Sequence, residues 1–298
     1  MQRLHRVTAT WRSIQRGFRG RKLTGDNMIS RRNFLKLTGG AAATTFAGLL
    51  AACGAGRTTA GVAEESARGQ QGTGSAASRG RLLAKPTSPQ ADSPVPTGLK
   101  PLGLGSGRDG LIYVPAGYRP TEEAPLVLML HGAGGDARSG ISPFLDLADE
   151  AGLVLLAPES RGRTWDVLVG GYGSDVEFID RALEQTFECL AVDAEKLAVE
   201  GFSDGASYAL SIGLTNGDLF THVIGFSPGF ASPAAYRGKV RIFVSHGTRD
   251  GVLPIRDTSR RIVPRLEDAD YDVLYREFDG PHTVPKSVAR EALEWLTA

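Results

Sequence analysis

Three residue types that together can transfer an acyl group occur in settings where a fold could join them. Gly201-Phe202-Ser203-Asp204-Gly205 places a serine between two glycines in the pattern G-x-S-x-G. Glycine and serine are common, so the pattern alone says little. Its setting says more: Leu197-Ala198-Val199 reads as a strand before it, and the small-residue stretch 206–214 reads as a helix after it. A serine on such a turn is lifted above a sheet edge, at a helix N-terminus that favours developing negative charge. A hydroxyl is a weak nucleophile and needs a base. His282, in Gly280-Pro281-His282-Thr283-Val284-Pro285, lies in a short loop before the last helical stretch. Asp250, in Ser245-His246-Gly247-Thr248-Arg249-Asp250-Gly251, follows a strand and would accept a hydrogen bond from the imidazole and fix its tautomer. Asp257 and Asp279 compete for that role, but Asp257 stands at a helix start and Asp279 is too near His282 to orient its ring. His246 reads as structural, packed beneath the acid loop. The expected catalytic set is Ser203, Asp250 and His282. The plainer reading is a Gly-rich turn and a surface-loop histidine.

Such a reaction also needs donors for the oxyanion. His131-Gly132-Ala133-Gly134-Gly135 follows an apolar strand, and its glycines let a backbone N–H turn inward. The expected donors are the N–H groups of Ala133, with Gly134 in reserve, and of Asp204. The Asp204 carboxylate stands beside this hole and would oppose the oxyanion if it pointed inward. A phosphate-cradling loop fails as the rival reading, because the Lys-Ser/Thr pair is absent. Trp165, in the loop 160–172, is the candidate for contact with substrate, packing being its alternative. The histidines and acids show no metal-ligand spacing.

These loops need a frame that brings them together. Apolar runs of strand length, at 111–114, 126–130, 153–157, 197–199, 223–226, 240–244 and 273–278, alternate with helical periodicity. The helical stretches are 142–151, 176–190, 206–214, 259–266 and 288–296. That alternation predicts an α/β domain over 97–298: a mainly parallel sheet with helices on both faces and its site at the carboxyl ends of the strands. About 200 residues leave no room for a large lid.

The chain ahead of the domain differs in kind. Of 34 Lys/Arg and 33 Asp/Glu in the 298 residues, 10 basic and 1 acidic residue fall in 1–52; the rest carries 24 − 32 = −8. The acidic remainder has no basic cluster, which excludes nucleic acid as a partner. Ser30-Arg31-Arg32-Asn33-Phe34-Leu35-Lys36 resembles a twin-arginine export signal and precedes a short apolar stretch, 37–52. Either Met1 or Met28 could be the start. Leu50-Ala51-Ala52-Cys53 resembles a lipobox, implying lipidation of Cys53 and a membrane anchor at the periplasm or cell surface. An ordinary secretory cleavage near Cys53 is the alternative. With Cys53 so used, the two cysteines, Cys53 and Cys189, indicate no disulfide framework. Residues 53–96, rich in Gly, Ala, Ser, Thr, Gln and Pro, read as a flexible tether.

Taken together, Leu130-His131-Gly132, Asp175 with Phe178 and Ile179, Gly-Phe-Ser-Asp-Gly, His246 to Asp250 with Leu253-Pro254-Ile255, and His282-Thr283-Val284-Pro285 resemble the phospholipase/carboxylesterase-like α/β-hydrolases. The polyhydroxybutyrate-depolymerase and feruloyl-esterase type is the most similar branch. The chain order Ser, Asp, His is also that of the α/β-hydrolases. The resemblance implies hydrolysis of small or polymeric carboxylic esters through an acyl-enzyme, with no cofactor. Pro281 departs from it, standing where a second glycine is more usual. Two other functions stay open: a serine peptidase or amidase with the same triad, and a non-catalytic binding lipoprotein on a hydrolase scaffold.

Overall fold

The computed structural model describes residues 75–87, 95–105 and 107–298. The twin-arginine segment, Cys53 and the tether residues 53–74 and 88–94 lie outside the described residues.

Side chains alternate across a pleat, so a strand buried on both faces can be apolar at every position. Strand β3 (Ala124–Leu130) does this: Leu126, Leu128 and Leu130 enter one core layer, Val127 and Met129 the other. The other strands are β1 (Gly98–Pro101), β2 (Gly110–Val114), β4 (Val154–Pro158), β5 (Val192–Phe202), β6 (His222–Phe226), β7 (Arg241–Gly247) and β8 (Val273–Phe278). They form one sheet in the order β1-β2-β4-β3-β5-β6-β7-β8. The β1/β2 and β2/β4 pairs are antiparallel, and every other pair is parallel.

Helices α1 (Ala137–Leu145) and α6 (Lys286–Thr297) cover one face through Ile141, Phe144, Ala292 and Leu293. Helices α3 (Ser174–Cys189), α4 (Asp204–Thr215) and α5 (Ser259–Asp268) cover the other through Ile179, Leu183, Leu210, Ile212 and Val263. A four-residue helix, α2 (Asp166–Val169), precedes α3. The result is the expected α/β architecture.

Two elements differ from the sequence reading. The helix expected over 142–151 runs from Ala137 to Leu145, because Asp136 caps it. The Asp136 carboxylate accepts from the Ser139 N–H at 2.8 Å, and the Ser139 hydroxyl accepts from the Asp136 N–H at 2.9 Å. The chain then leaves the helix in turns ending at Gly152, at φ +60°. Strand β1 was not foreseen, since Gly98-Leu99-Lys100-Pro101 has no strand-like run; it forms because the free edge of β2 pairs with it.

The tether expected over 53–96 is corrected over residues 75–87. That stretch packs on the domain as a strap, with Leu82 fully buried. Asn216, at the end of α4, reads its backbone: Oδ1 accepts from the Leu82 N–H at 2.9 Å, and Nδ2 donates to Gly80 O at 2.8 Å. The Asp180 carboxylate accepts from the N–H groups of Leu83 and Ala84. Arg81 forks onto Asp218 at 2.8 and 2.7 Å and holds that carboxyl down at about 2. A polar composition suggested free chain, but side-chain partners on α3 and α4 supply the backbone bonds that composition cannot show.

Asn216→Ala leaves the Leu82 N–H and Gly80 O without these partners. It should cost roughly 1–3 kcal/mol of unfolding free energy. Urea denaturation of the two proteins checks it, and a loss below about 0.5 kcal/mol would mean the strap is not clamped there.

Candidate active site

Strand β5 runs into α4 through a turn that sequence alone marks by its glycines. A Cβ on Gly201 would stand 2.2 Å from Gly205 C and O, and one on Gly205 would stand 2.0 Å from Leu130 O. Only glycine fits at either place. The chain therefore turns at Ser203 with φ 59° and ψ −117°, a conformation that costs a non-glycine residue of order 1–3 kcal/mol. The Ser203 N–H donates to Phe226 O on β6 at 2.9 Å, which ties the turn to its neighbouring strand.

The structure brings the three expected residues together. Ser203 Oγ lies 2.9 Å from His282 Nε2, and His282 Nδ1 lies 2.6 Å from Asp250 Oδ2. Burial alone would raise the Asp250 pKa, but hydrogen bonds from His246, His282 and the Leu253 N–H outweigh it and hold the carboxyl well below the usual range. An ionised carboxylate only accepts, so His282 Nδ1 carries the hydrogen and Nε2 accepts from the Ser203 hydroxyl. The other oxygen, Asp250 Oδ1, accepts from the N–H groups of Val252 at 2.8 Å and Leu253 at 2.7 Å. The acid and base loops are joined through their backbones: the Thr248 N–H donates to Phe278 O and the Arg249 N–H to Gly280 O. Asp279, the sequence rival, pairs instead with Arg249 in solvent, at 2.5 Å.

The loop after β3, where the sequence predicts an oxyanion donor, is equally determined. The Gly134 N–H donates to Arg163 O at 2.6 Å and the Gly135 N–H to Gly132 O at 3.0 Å, so Gly134 cannot serve as the reserve donor. Ala133 is exposed, and Asp204 N–H stands in the unpaired first turn of α4. His131 braces the loop from beneath. Its Nε2 accepts from the Ser160 N–H at 3.0 Å, which makes Nδ1 the donor to Gly132 O at 2.8 Å. Burial, with Arg108 nearby, lowers its pKa and keeps the ring neutral. Arg108 Nη2 also donates to Gly135 O at 2.8 Å. Sequence reading saw His131 only as part of a motif.

Residues 174–296 match the profile of the Phospholipase/Carboxylesterase family. Over that stretch the chain is similar to this family. Residues 28–48 match the signal sequence of the twin-arginine translocation pathway. Feruloyl esterase C of Emericella nidulans is 29% identical over 164 residues, covering 50% of this chain and 57% of that protein. The chain thus spans little more than half the length of that relative. Esterase PE8 superposes with a TM-score of 0.52 at 22% identity, over 63% of this chain and 96% of that one. A Staphylococcus aureus fluorophosphonate-binding serine hydrolase, FphF, superposes with a TM-score of 0.54 at 13% identity, over 68% of this chain and 100% of that one. These likenesses speak for the α/β-hydrolase fold, and no lid is evident on the described residues.

The packing of the loop after β4 corrects the reading of Trp165. The side chain is fully buried, stacked on Tyr208 at 5.0 Å between centroids, with its N–H donating to His131 O at 2.9 Å. It supports the loop after β3 and does not line the surface. Asp204 is also turned aside: its Oδ2 accepts from the Thr164 hydroxyl at 2.6 Å, and burial raises its pKa. The loop between β4 and α3 is knitted by two further acids. Asp175 accepts from the N–H groups of Arg161 and Asp166, and Asp166 accepts from those of Gly173 and Asp175 and from the Tyr208 hydroxyl. Across the site, the Ser207 hydroxyl accepts from the Gly229 N–H at 2.9 Å and donates to Ser203 O at 3.2 Å. It pins the loop after β6 beside the elbow. None of these roles has a sequence motif of its own, apart from Asp175 within the family resemblance.

Ser203→Gly should raise unfolding stability by about 1 kcal/mol through relief of the positive φ. Equal or lower stability in urea titration would show the turn to be unstrained.

Burial pushes the Asp175 carboxyl up to about 6, with Asp166 adding to it. The folded chain then binds this proton between about pH 4 and 6 while the unfolded chain releases it, so stability falls as pH rises through that window. Asp175→Asn should flatten the slope between pH 4.5 and 6.5, as read by denaturant midpoints.

Proposed function

We propose that this chain is a carboxylic-ester hydrolase that works through an acyl-enzyme. The observation that carries the reading is the continuous path from Ser203 Oγ through His282 to Asp250 Oδ2, at 2.9 and 2.6 Å. Ser203 Oγ attacks the ester carbonyl carbon while its proton passes to His282 Nε2. The carbonyl oxygen becomes an oxyanion and accepts from the N–H groups of Ala133 and Asp204. The tetrahedral centre collapses, the carbon–oxygen bond to the alcohol breaks, and Nε2 returns the proton to the departing oxygen. Water then enters, loses a proton to Nε2, and releases the acid and free Ser203 by the same steps in reverse. Asp250 holds the imidazole in the required tautomer and stabilises the imidazolium without taking the proton.

The turned-aside Asp204 carboxyl favours this assignment, since its N–H can serve the oxyanion without the charge facing it. Each such donor is worth roughly 3–4 kcal/mol in the transition state. Relatives named as feruloyl esterases make methyl ferulate the first natural-type ester to test, beside p-nitrophenyl acetate. For the twin-arginine signal that precedes the domain, the proposed mature form is exported and anchored by lipid at Cys53. Mass spectrometry of the mature N-terminus tests the lipid.

Wild-type protein should turn over p-nitrophenyl esters but not the matching anilides, and should react with a fluorophosphonate at Ser203. Ser203→Ala should lose both. Asp250→Asn should lower kcat by roughly 10³- to 10⁴-fold with the fold intact, the scale set by loss of a triad acid elsewhere. Turnover of anilides at comparable rates would assign a peptidase or amidase instead. Equal labelling of wild type and Ser203→Ala would remove the proposal.

A further inference from the structure

One buried histidine beside the triad has no part in the reaction just described. His246 is the residue before the last in β7 and is fully buried. Its Nε2 lies 2.8 Å from Leu253 O and 3.1 Å from Asp250 Oδ2. Its Nδ1 lies 2.6 Å from the hydroxyl of Ser259, itself fully buried at the start of α5. A carbonyl and an ionised carboxylate only accept, so Nε2 must carry the hydrogen and share it between them. In the neutral ring, Nδ1 then accepts from the Ser259 O–H. The bonding on both sides therefore selects one tautomer.

The Asp250 oxygen that receives this hydrogen is the one that receives His282. Oδ2 accepts from His282 Nδ1 at 2.6 Å and from His246 Nε2 at 3.1 Å, while Oδ1 is held by the N–H groups of Val252 and Leu253. Two imidazoles thus meet one carboxylate oxygen. Rotating the carboxylate away from His282 would also break the bond to His246, and the Leu253 carbonyl ties His246 to the same turn that holds Oδ1.

We propose that His246 is a positioning residue, whose Nε2–H, oriented by Ser259, holds the Asp250 carboxylate in the rotation that presents Oδ2 to His282. The hydrogen-bonded path is then five residues long: Ser259, His246, Asp250, His282, Ser203. This rests on the triad reading above and extends it by two members. The competing role for His246 is packing alone, filling the space beneath the acid loop. The two roles separate because a side chain can keep the volume and lose the donor, or keep the donor and lose the ring.

The test uses the full chain, p-nitrophenyl acetate turnover, the rate of fluorophosphonate labelling, and thermal unfolding as a control. His246→Leu keeps apolar bulk without a donor. It should lower kcat on the order of 10- to 100-fold, the scale of one hydrogen bond to a buried charge, with KM within about twofold. Labelling should slow by a similar factor. His246→Gln places an amide N–H where Nε2 stood and should recover kcat to within about threefold of wild type. His246→Asn is equally polar but its amide falls short of Oδ2, so it should lose kcat as Leu does. Ser259→Ala should lower kcat less than His246→Leu, and adding it to His246→Gln should cost nothing further. If the Leu variant does not unfold cooperatively, the Gln and Asn pair decides the matter. Equal kcat in Gln and Asn, or wild-type kcat in Leu, would overturn the proposal. Ser203→Ala run alongside keeps the two readings apart: turnover by that variant removes the triad reading itself, whereas an inactive Ser203→Ala beside a fully active His246→Leu removes only the role of His246.

Discussion

The close approach of α4 to β3 governs everything at the carboxyl edge of this sheet. With no side chain at Gly205, the first turn of α4 lies directly against the Leu130 carbonyl. With none at Gly201, the strand and helix can meet at so sharp an angle. The strained φ of Ser203 stands at that meeting point, between β5 and α4. The same approach puts the unpaired N–H of Asp204 next to the loop after β3. Ser203 and the proposed oxyanion donors are therefore neighbours through one contact between two backbones.

The second feature of the site is the amount of carboxylate it buries. Asp175, Asp204 and Asp250 are each at most 6% exposed, and each spends its oxygens on loop backbone or on a side chain that shapes a loop. A buried carboxyl is costly unless bonded, so each one defines the geometry of the donors around it. Asp250 organises the acid turn and the base, while Asp166 and Asp175 organise the long loop over Tyr208 and Trp165. Neutral groups do the corresponding task on the other side, where His131 and the Ser207 hydroxyl hold backbone without charge. Glu200, three residues before Ser203, is the exception: it is fully buried with no hydrogen-bond partner among the described residues, and burial raises its pKa well above the usual range.

The strap of residues 75–87 relates the domain to the chain ahead of it. Its bonds go to Asp180 within α3, Asn216 at the end of α4 and Asp218 just beyond, so it grips α4 at the end opposite Ser203. Gly80 lies against the ring of Tyr172, whose hydroxyl donates to Ser232 O in the loop after β6. The strap thus meets the loop between β4 and α3 and, through Tyr172, is linked to the loop after β6.

Much of this was legible in the residues themselves. Strand and helix alternation, the G-x-S-x-G pattern and the order of Ser203, Asp250 and His282 pointed to a parallel sheet and to three candidate residues at its rim, because periodicity and turn chemistry are local properties. The twin-arginine motif was readable for the same reason. What composition could not express were the partners. Trp165 looked like a pocket residue until its indole N–H found the His131 carbonyl. Residues 75–87 looked like free chain until Asn216 and Asp180 met their backbone. Asp204 had two possible directions until Thr164 took one, and Gly134 stood in reserve until Arg163 claimed its N–H. Each of these was decided by a hydrogen bond between residues distant along the chain or by the side of a backbone turned inward, and such choices exist only once the sheet has assembled its loops at one edge.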